Sequence, residues 1–225
     1  MFYKFPHTPH IAWLGKMYPR DDKVLDPNEA DEFLSHKVII EEKVDGANLG
    51  FSIDEHGELR AQNRGSYLSL DNCQGQWSQF KRWLTPRADA LAEALFPDLI
   101  LFGEWCYARH SIPYTRLPDW FLAFDVYDRA SQQFWDTRRR DELVDKLGLC
   151  TVPLVTSGEF DMPQLSSMAW LASRLVDEPM EGIYIRREYN GSTIQRAKLV
   201  RPTFTQAIDE HWSRRSIEQN TLVTR

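Results

Sequence analysis

The chain lacks the marks of several large protein classes. It has three cysteines in 225 residues, Cys73, Cys106 and Cys150. Their number is odd, their spacing is wide and no pair falls at a zinc-ligand interval. That argues against a disulfide framework and a cysteine-rich metal knuckle, and leaves reduced, buried thiols in a cytoplasmic protein. No apolar run reaches the ~20 residues of a membrane span, and the first residues show no charged-then-apolar signal pattern. Internal repeats, low-complexity tracts and linkers are also missing. Nor is there an excess of positive charge: 27 Lys/Arg against 33 Asp/Glu leave a net −6, the wrong sign for a protein that coats polyanions through its overall field. The deficit is uneven, since residues 181–225 hold eight Lys/Arg and five Asp/Glu. A nucleic-acid contact would therefore use a local basic face. A solvated C-terminal helix and hairpin would account for the same arginines.

What is present fits one full-sized core. Hydrophobic residues make up 42% and charged residues 27%, enough for a single domain over residues 1–225. The opening Phe5-Pro6-His7-Thr8-Pro9-His10 is proline-punctuated and reads as extended; His7 and His10 have no third ligand near them. Pro27 and Asn28 suggest a loop entering a short helix. Strands are expected from Lys37 to Asn63, with Leu49–Ile53 and Leu59–Gln62 flanking the turn Asp54-Glu55-His56-Gly57. Trp77, Phe80, Trp83 and Leu84 recur at helical spacing and read as a core stripe. Pro86 opens a helix through Leu95. Strands follow at Leu99–Trp105 and Trp120–Tyr127. Thr137 is placed to cap a helix ending near Gly148, and Arg138-Arg139-Arg140 to lie on its solvated start. A helix is expected over Gln164–Leu175. Strands Gly182–Arg187 and Thr193–Val200 join through Asn190-Gly191, a strong hairpin signal, and the tail from Thr203 reads as helical. Antiparallel hairpins with interspersed helices indicate an α+β fold.

Chemistry concentrates on strand ends. In Ile39-Ile40-Glu41-Glu42-Lys43-Val44-Asp45-Gly46-Ala47-Asn48 a lysine closes a β-branched strand and enters a glycine turn, placed like a covalent nucleophile. Lysine titrates near 10.4, so it attacks only where burial or nearby cations favour the neutral amine. Arg64 follows a strand. Glu104 closes another, Phe124 lies within Phe121–Tyr127, and Glu181 opens the last hairpin. Alternation puts Arg196 and Lys198 on one face of the strand that returns from it.

Taken in order, these segments resemble the covalent nucleotidyltransferase superfamily of ATP-dependent ligases and capping enzymes. Within it the likeness is to RNA ligases of the phage double-strand-sealing type; Asn48, two residues after Gly46, favours the RNA-ligase branch. The resemblance covers roughly residues 37–204. It implies antiparallel sheets with flanking helices, an ATP-grasp-like ligase adenylation domain. It also implies that Lys43 carries the lysyl-adenylate, that Glu42 lines the adenine pocket and that Asn48 lies near the nucleotide phosphate. Arg64 would contact the sugar or phosphate region, and Phe124 would stack on adenine. Glu104 and Glu181 would hold Mg²⁺ or Mn²⁺. Arg196 and Lys198 would be the paired basic residues that lower the pKa of Lys43 and neutralise the α-phosphate. Arg196 departs from the family's lysine, keeping charge but not the compact ammonium.

The implied substrates are ATP and RNA ends or a nicked duplex, with no membrane partner. The chain ends 27 residues after Lys198, which leads to the expectation of one adenylyltransferase domain with no C-terminal OB-fold, and of an end-healing kinase or phosphatase as a possible partner chain. Plainer readings stand beside these. Phe124 alternates with Leu122 and Val126 as a core residue would, and the charged residues suit solvated strand ends and turns. A compact ATP-dependent DNA ligase and a non-catalytic nucleotide- or RNA-binding module of the same fold are the alternatives.

Overall fold

The computed structural model describes residues 2–15, 23–202 and 217–223; the expected helix from Thr203 lies largely outside them. Ten strands form one sheet, β1 (Val38–Glu42), β2 (Ala47–Ile53), β3 (Leu59–Gln62), β4 (Leu99–Trp105), β5 (Phe121–Asp128), β6 (Gln133–Trp135), β7 (Cys150–Thr151), β8 (Leu154–Gly158), β9 (Gly182–Tyr189) and β10 (Ser192–Val200). Their order is β3-β2-β4-β5-β6-β10-β9-β1-β8, with β7 added to β5. All pairs are antiparallel except β5–β7. Among the described residues the α-helices are α1 (Pro27–Leu34), α2 (Phe80–Leu84), α3 (Ala88–Leu95), α4 (Thr137–Lys146) and α5 (Met162–Met168). None of the described helices is long and apolar enough to cross a membrane. The fold is α+β, a large antiparallel sheet with flanking helices.

The short strand β6 divides the sheet into two halves, each over its own core. Phe51, Phe80, Trp83, Trp105 and Phe121 pack under α2 and α3, with Trp83 and Trp105 edge-on at 5.7 Å between ring centroids. That packing is the origin of the aromatic stripe, and each indole N–H finds an acceptor, Asp119 Oδ1 and the Gln76 carbonyl, both at 2.7 Å. In the other half Ile40, Ile183, Ile185, Ala197 and Leu199 meet Phe33 of α1 and Leu165 of α5.

Consecutive strands β1 and β2 do not pair with each other. β1 lies between β8 and β9, and β2 lies between β3 and β4. Residues 43–46, which a local reading would make a hairpin, are instead the crossover between the two halves, so Lys43 enters the cleft between them. Gly46 permits the crossing, since a Cβ there would sit 2.9 Å from the Trp105 carbonyl oxygen and 3.1 Å from Cys106 Sγ. At the opposite end, Asn190 and Gly191 adopt φ of 48° and 78°, the left-handed pair of a tight hairpin turn.

Several expectations need correction. The cap of α4 is Asp136, whose carboxylate accepts from Arg139 N, while Thr137 N donates to Glu188 at 2.7 Å. Arg138 is exposed, Arg139 stacks on Trp135 with its guanidinium carbon 4.1 Å from the ring centre, and Arg140 is buried rather than solvated. Helix α5 starts two residues earlier than expected, behind the Asp161 cap, and stops at Met168 rather than Leu175. The chain then bends so that Ser173 and Arg174 reach β1. All three cysteines are free, but only Cys106 is fully buried.

Candidate active site

The cleft between the halves is lined by Phe5, Thr8, Glu42, Lys43, Asn48, Arg64, Glu104, Phe124, Tyr184, Arg186 and Lys198, among others. Seven of the nine residues singled out from sequence therefore share one pocket, drawn from five separate segments. Glu181 joins them through its side chain, with Oε1 and Oε2 lying 2.6 and 2.7 Å from Lys43 Nζ.

The turn carrying Lys43 is clamped on both sides. Lys43 N donates to the Gly182 carbonyl at 3.0 Å, and Glu42 N to that of Pro153 at 2.8 Å. The Glu42 carboxylate accepts from Ser173 Oγ at 2.5 Å and Arg174 N at 3.1 Å. Burial raises its pKa above the usual carboxylate range despite those donors. On the other side Asp45 Oδ2 accepts from Ser111 N at 2.7 Å, and Asp45 N donates to Tyr114 Oη at 2.8 Å. The 106–114 segment is held in turn by Asn220. Its amide donates to the carbonyls of Cys106 and Ala108 at 2.8 and 3.2 Å, and its oxygen accepts from Tyr114 N at 2.9 Å. Nothing local in the sequence marks Asn220, because these contacts span more than 100 residues.

The paired basic residues separate. Lys198 lines the cleft, but Arg196 does not. Its guanidinium donates to Asp125 Oδ2 at 3.0 Å and lies 3.7 Å from the centre of the Phe134 ring. Two residues along a strand are about 6.7 Å, which suffices to take it from the pocket to an ion network that shares Glu41 and Arg186 with the pocket wall. There Arg186 Nε and Nη1 donate to Glu41 and Asp125 at 2.6 Å each. Arg140 Nη2 meets Glu41 at 2.7 Å. Arg140 Nη1 and Arg186 Nη2 both donate to the Phe124 carbonyl, at 2.8 and 2.7 Å. Two carboxylates and three guanidiniums thus fix the strand that carries Phe124.

The electrostatics of Lys43 also differ from expectation. Burial pushes its ammonium down, but Glu181, Asp45 and Glu104 outweigh burial and the net shift is upward. Without a nucleotide the lysine is a stable cation. Burial drives Glu181 up to about 7 against the pull of Lys43, and Glu104 up to about 8. Asp45, Glu104 and Glu181 thus gather around one ammonium, with Arg64 and Lys198 as further cations of the cleft. Asn48 and Glu104 stand opposite each other on β2 and β4, and Asn48 Oδ1 and Glu104 Oε2 are buried without a hydrogen-bond partner. Orphaned oxygens beside a group of carboxyls fit a divalent cation or its water shell, which would favour the ionised form of Glu104. Among the described residues no three His, Cys, Asp or Glu side chains could hold an ion by themselves. A cation here would therefore keep water or phosphate ligands, as Mg²⁺ commonly does.

The raised Glu104 has a measurable consequence. An unfolded glutamate titrates near 4.3, and folded Glu104 at about 8. Between those values the folded state keeps a proton that the unfolded state has lost, so this group's contribution falls as pH rises toward 8. In metal-free buffer Glu104→Gln is expected to flatten the decline of Tm between about pH 5 and pH 8. Thermal melts across that range check it, and an unchanged slope would contradict it.

The family model for RNA ligase matches residues 36–200. Among solved structures, the Naegleria gruberi RNA ligase is similar in fold. A mutant with ATP and Mn gives a TM-score of 0.62 at 20% identity, over 79% of this chain and 53% of that one. The same ligase with PPi gives 0.62 at 19% over 92% and 64%. A mutant with AMP and Mn gives 0.60 at 17%, again over 92% and 64%. This chain thus spans between half and two thirds of that protein's length. No curated protein matches it.

Proposed function

The chain belongs to the RNA ligase family, and from that premise we propose that it is an ATP-dependent RNA ligase joining 5′-phosphate and 3′-hydroxyl ends through a lysyl-AMP intermediate. The observation that carries this reading is Lys43 at the crossover, with Glu181 on its amine and Asn48, Arg64, Glu104, Phe124 and Lys198 around one cleft. Phe124 offers a ring for adenine, and Arg64 and Lys198 offer cations for phosphate. Lys43 Nζ loses a proton to Glu181, the carboxylate in contact with it, and attacks the α-phosphorus of ATP. The N–P bond forms as the bond to the bridging oxygen breaks, and that electron pair leaves with pyrophosphate. AMP then passes from Lys43 to a 5′-phosphate. A 3′-hydroxyl attacks this activated end, sealing the strand and releasing AMP. Mg²⁺ or Mn²⁺ held by Glu104 and Glu181, with Asn48 beside them, would neutralise phosphate charge.

We propose the double-strand-sealing type on the likeness of the ordered motifs, while Asn48, two residues after Gly46, supports the RNA-ligase branch as a whole. The test presents the enzyme with nicked duplexes and single strands, with RNA or DNA on each side of the break. Preferred sealing of nicks with RNA at the 3′-hydroxyl supports the assignment. Preferred sealing of all-DNA nicks would make it a DNA ligase, and ATP binding without sealing or adduct would make it a binding module.

A further inference from the structure

Two walls of the cleft come from outside the matched residues 36–200. Phe5 and Thr8 belong to an extended strap that runs along β10. Ile11 N donates to the Lys198 carbonyl and Lys198 N to that of Pro9, each at 2.9 Å, so the strap is hydrogen-bonded to one of the two lysines that line the pocket. It is anchored again where Gln62 Nε2 donates to the Tyr3 carbonyl at 2.7 Å. Phe5 packs edge-on against Phe124 at 5.1 Å between centroids. Thr8 Oγ1 lies 3.1 Å from Tyr184 Oη, and Tyr184 stands directly opposite Lys198 across the β9–β10 ladder. Residues opposite each other in an antiparallel pair share a face.

We propose that Thr8 is a nucleotide-binding residue of this enzyme, its hydroxyl paired with that of Tyr184 to donate a hydrogen bond to a phosphate oxygen of bound ATP. The inference rests on the nucleotide reading above. Two hydroxyls carry two protons, and the bond between them uses one. The second proton is available to an acceptor in the cleft. Lys198, beside Tyr184 on the same face, favours an anionic acceptor there, as a phosphate oxygen is. Burial holds the Tyr184 phenol above its ordinary pKa, so it keeps its proton at any working pH. Thr8 is only 8% exposed and Tyr184 partly buried, yet both line the cleft, so the hydroxyl pair is built into its wall.

The test is calorimetric binding of α,β-methylene-ATP with Mg²⁺, an analogue whose bridge Lys43 cannot cleave, to wild type, Thr8→Val and Thr8→Ser. Thr8→Val keeps the shape and removes the hydroxyl, and is expected to bind about tenfold more weakly, the size of one hydrogen bond to a charged group. Thr8→Ser keeps the hydroxyl and is expected to bind as wild type. The loss in Thr8→Val is expected to persist with the 2′-deoxy analogue. Wild-type binding by Thr8→Val, or equal losses in both variants, would overturn the assignment alone. Disappearance of the loss with the 2′-deoxy analogue would move the contact to the ribose and overturn it as well. Absence of binding by the wild-type protein would overturn the nucleotide reading and this assignment together.

Discussion

Lys43→Ala is expected to form no AMP adduct and to lower sealing from ATP by on the order of 10⁴-fold or more, the scale of losing a covalent nucleophile. The argument separates chemistry from folding. The variant leaves Glu181 without its ammonium, but a carboxyl already raised to about 7 by burial takes up a proton rather than remaining a buried anion. The fold is therefore expected to survive. Lys43→Arg sharpens the test. A guanidinium can occupy both Glu181 oxygens, so the ion pair and the melting temperature are retained. It is never deprotonated in practice, so no attacking nitrogen is available. Rates of adduct formation and thermal melts on both variants check this. Adduct formation by Lys43→Ala would remove Lys43 from its role.

Arg186→Met is expected to destabilise the protein by about 3 kcal/mol, the lower end of the cost of breaking a buried ion pair. For a domain of this size that is a fall in Tm of roughly 6–12 °C. Arg186 is 1% exposed and bridges Glu41, Asp125 and the Phe124 carbonyl. The cost stays at the lower end because Arg140 still meets Glu41 and Arg196 still meets Asp125. The loss reaches the site as well, since the Phe124 carbonyl keeps only its bond from Arg140. Differential scanning calorimetry checks the magnitude, and a shift below about 2 °C would show that the network does not hold this strand.

The features legible in the sequence are those set by local chemistry. Asn190-Gly191 marks its hairpin because few other pairs tolerate two left-handed residues, and the Phe80–Leu84 stripe marks a helix because its period matches a buried face. The motif residues were legible through their order along the chain, and the fold does bring Lys43, Glu104, Phe124 and Lys198 to one cleft. What escaped depends on distant partners. Helix α5 stops early because Ser173 and Arg174 are drawn to Glu42, 131 and 132 residues away. Arg140 looks no different from Arg138 and Arg139 in sequence until Glu41 is placed beside it. The strands β6, β7 and β8 are two to five residues long, too short for an alternating pattern to declare itself. Arg196 and Lys198 share a strand face, yet alternation says nothing of how far along it the cleft extends.

The most direct measurement is intact-protein mass spectrometry after incubation with ATP and Mg²⁺ or Mn²⁺, beside a GTP control, followed by peptide mapping. The account expects one added AMP with ATP alone, located on Lys43. An unmodified mass with every nucleotide and both metals, or an adduct on another residue, would contradict it.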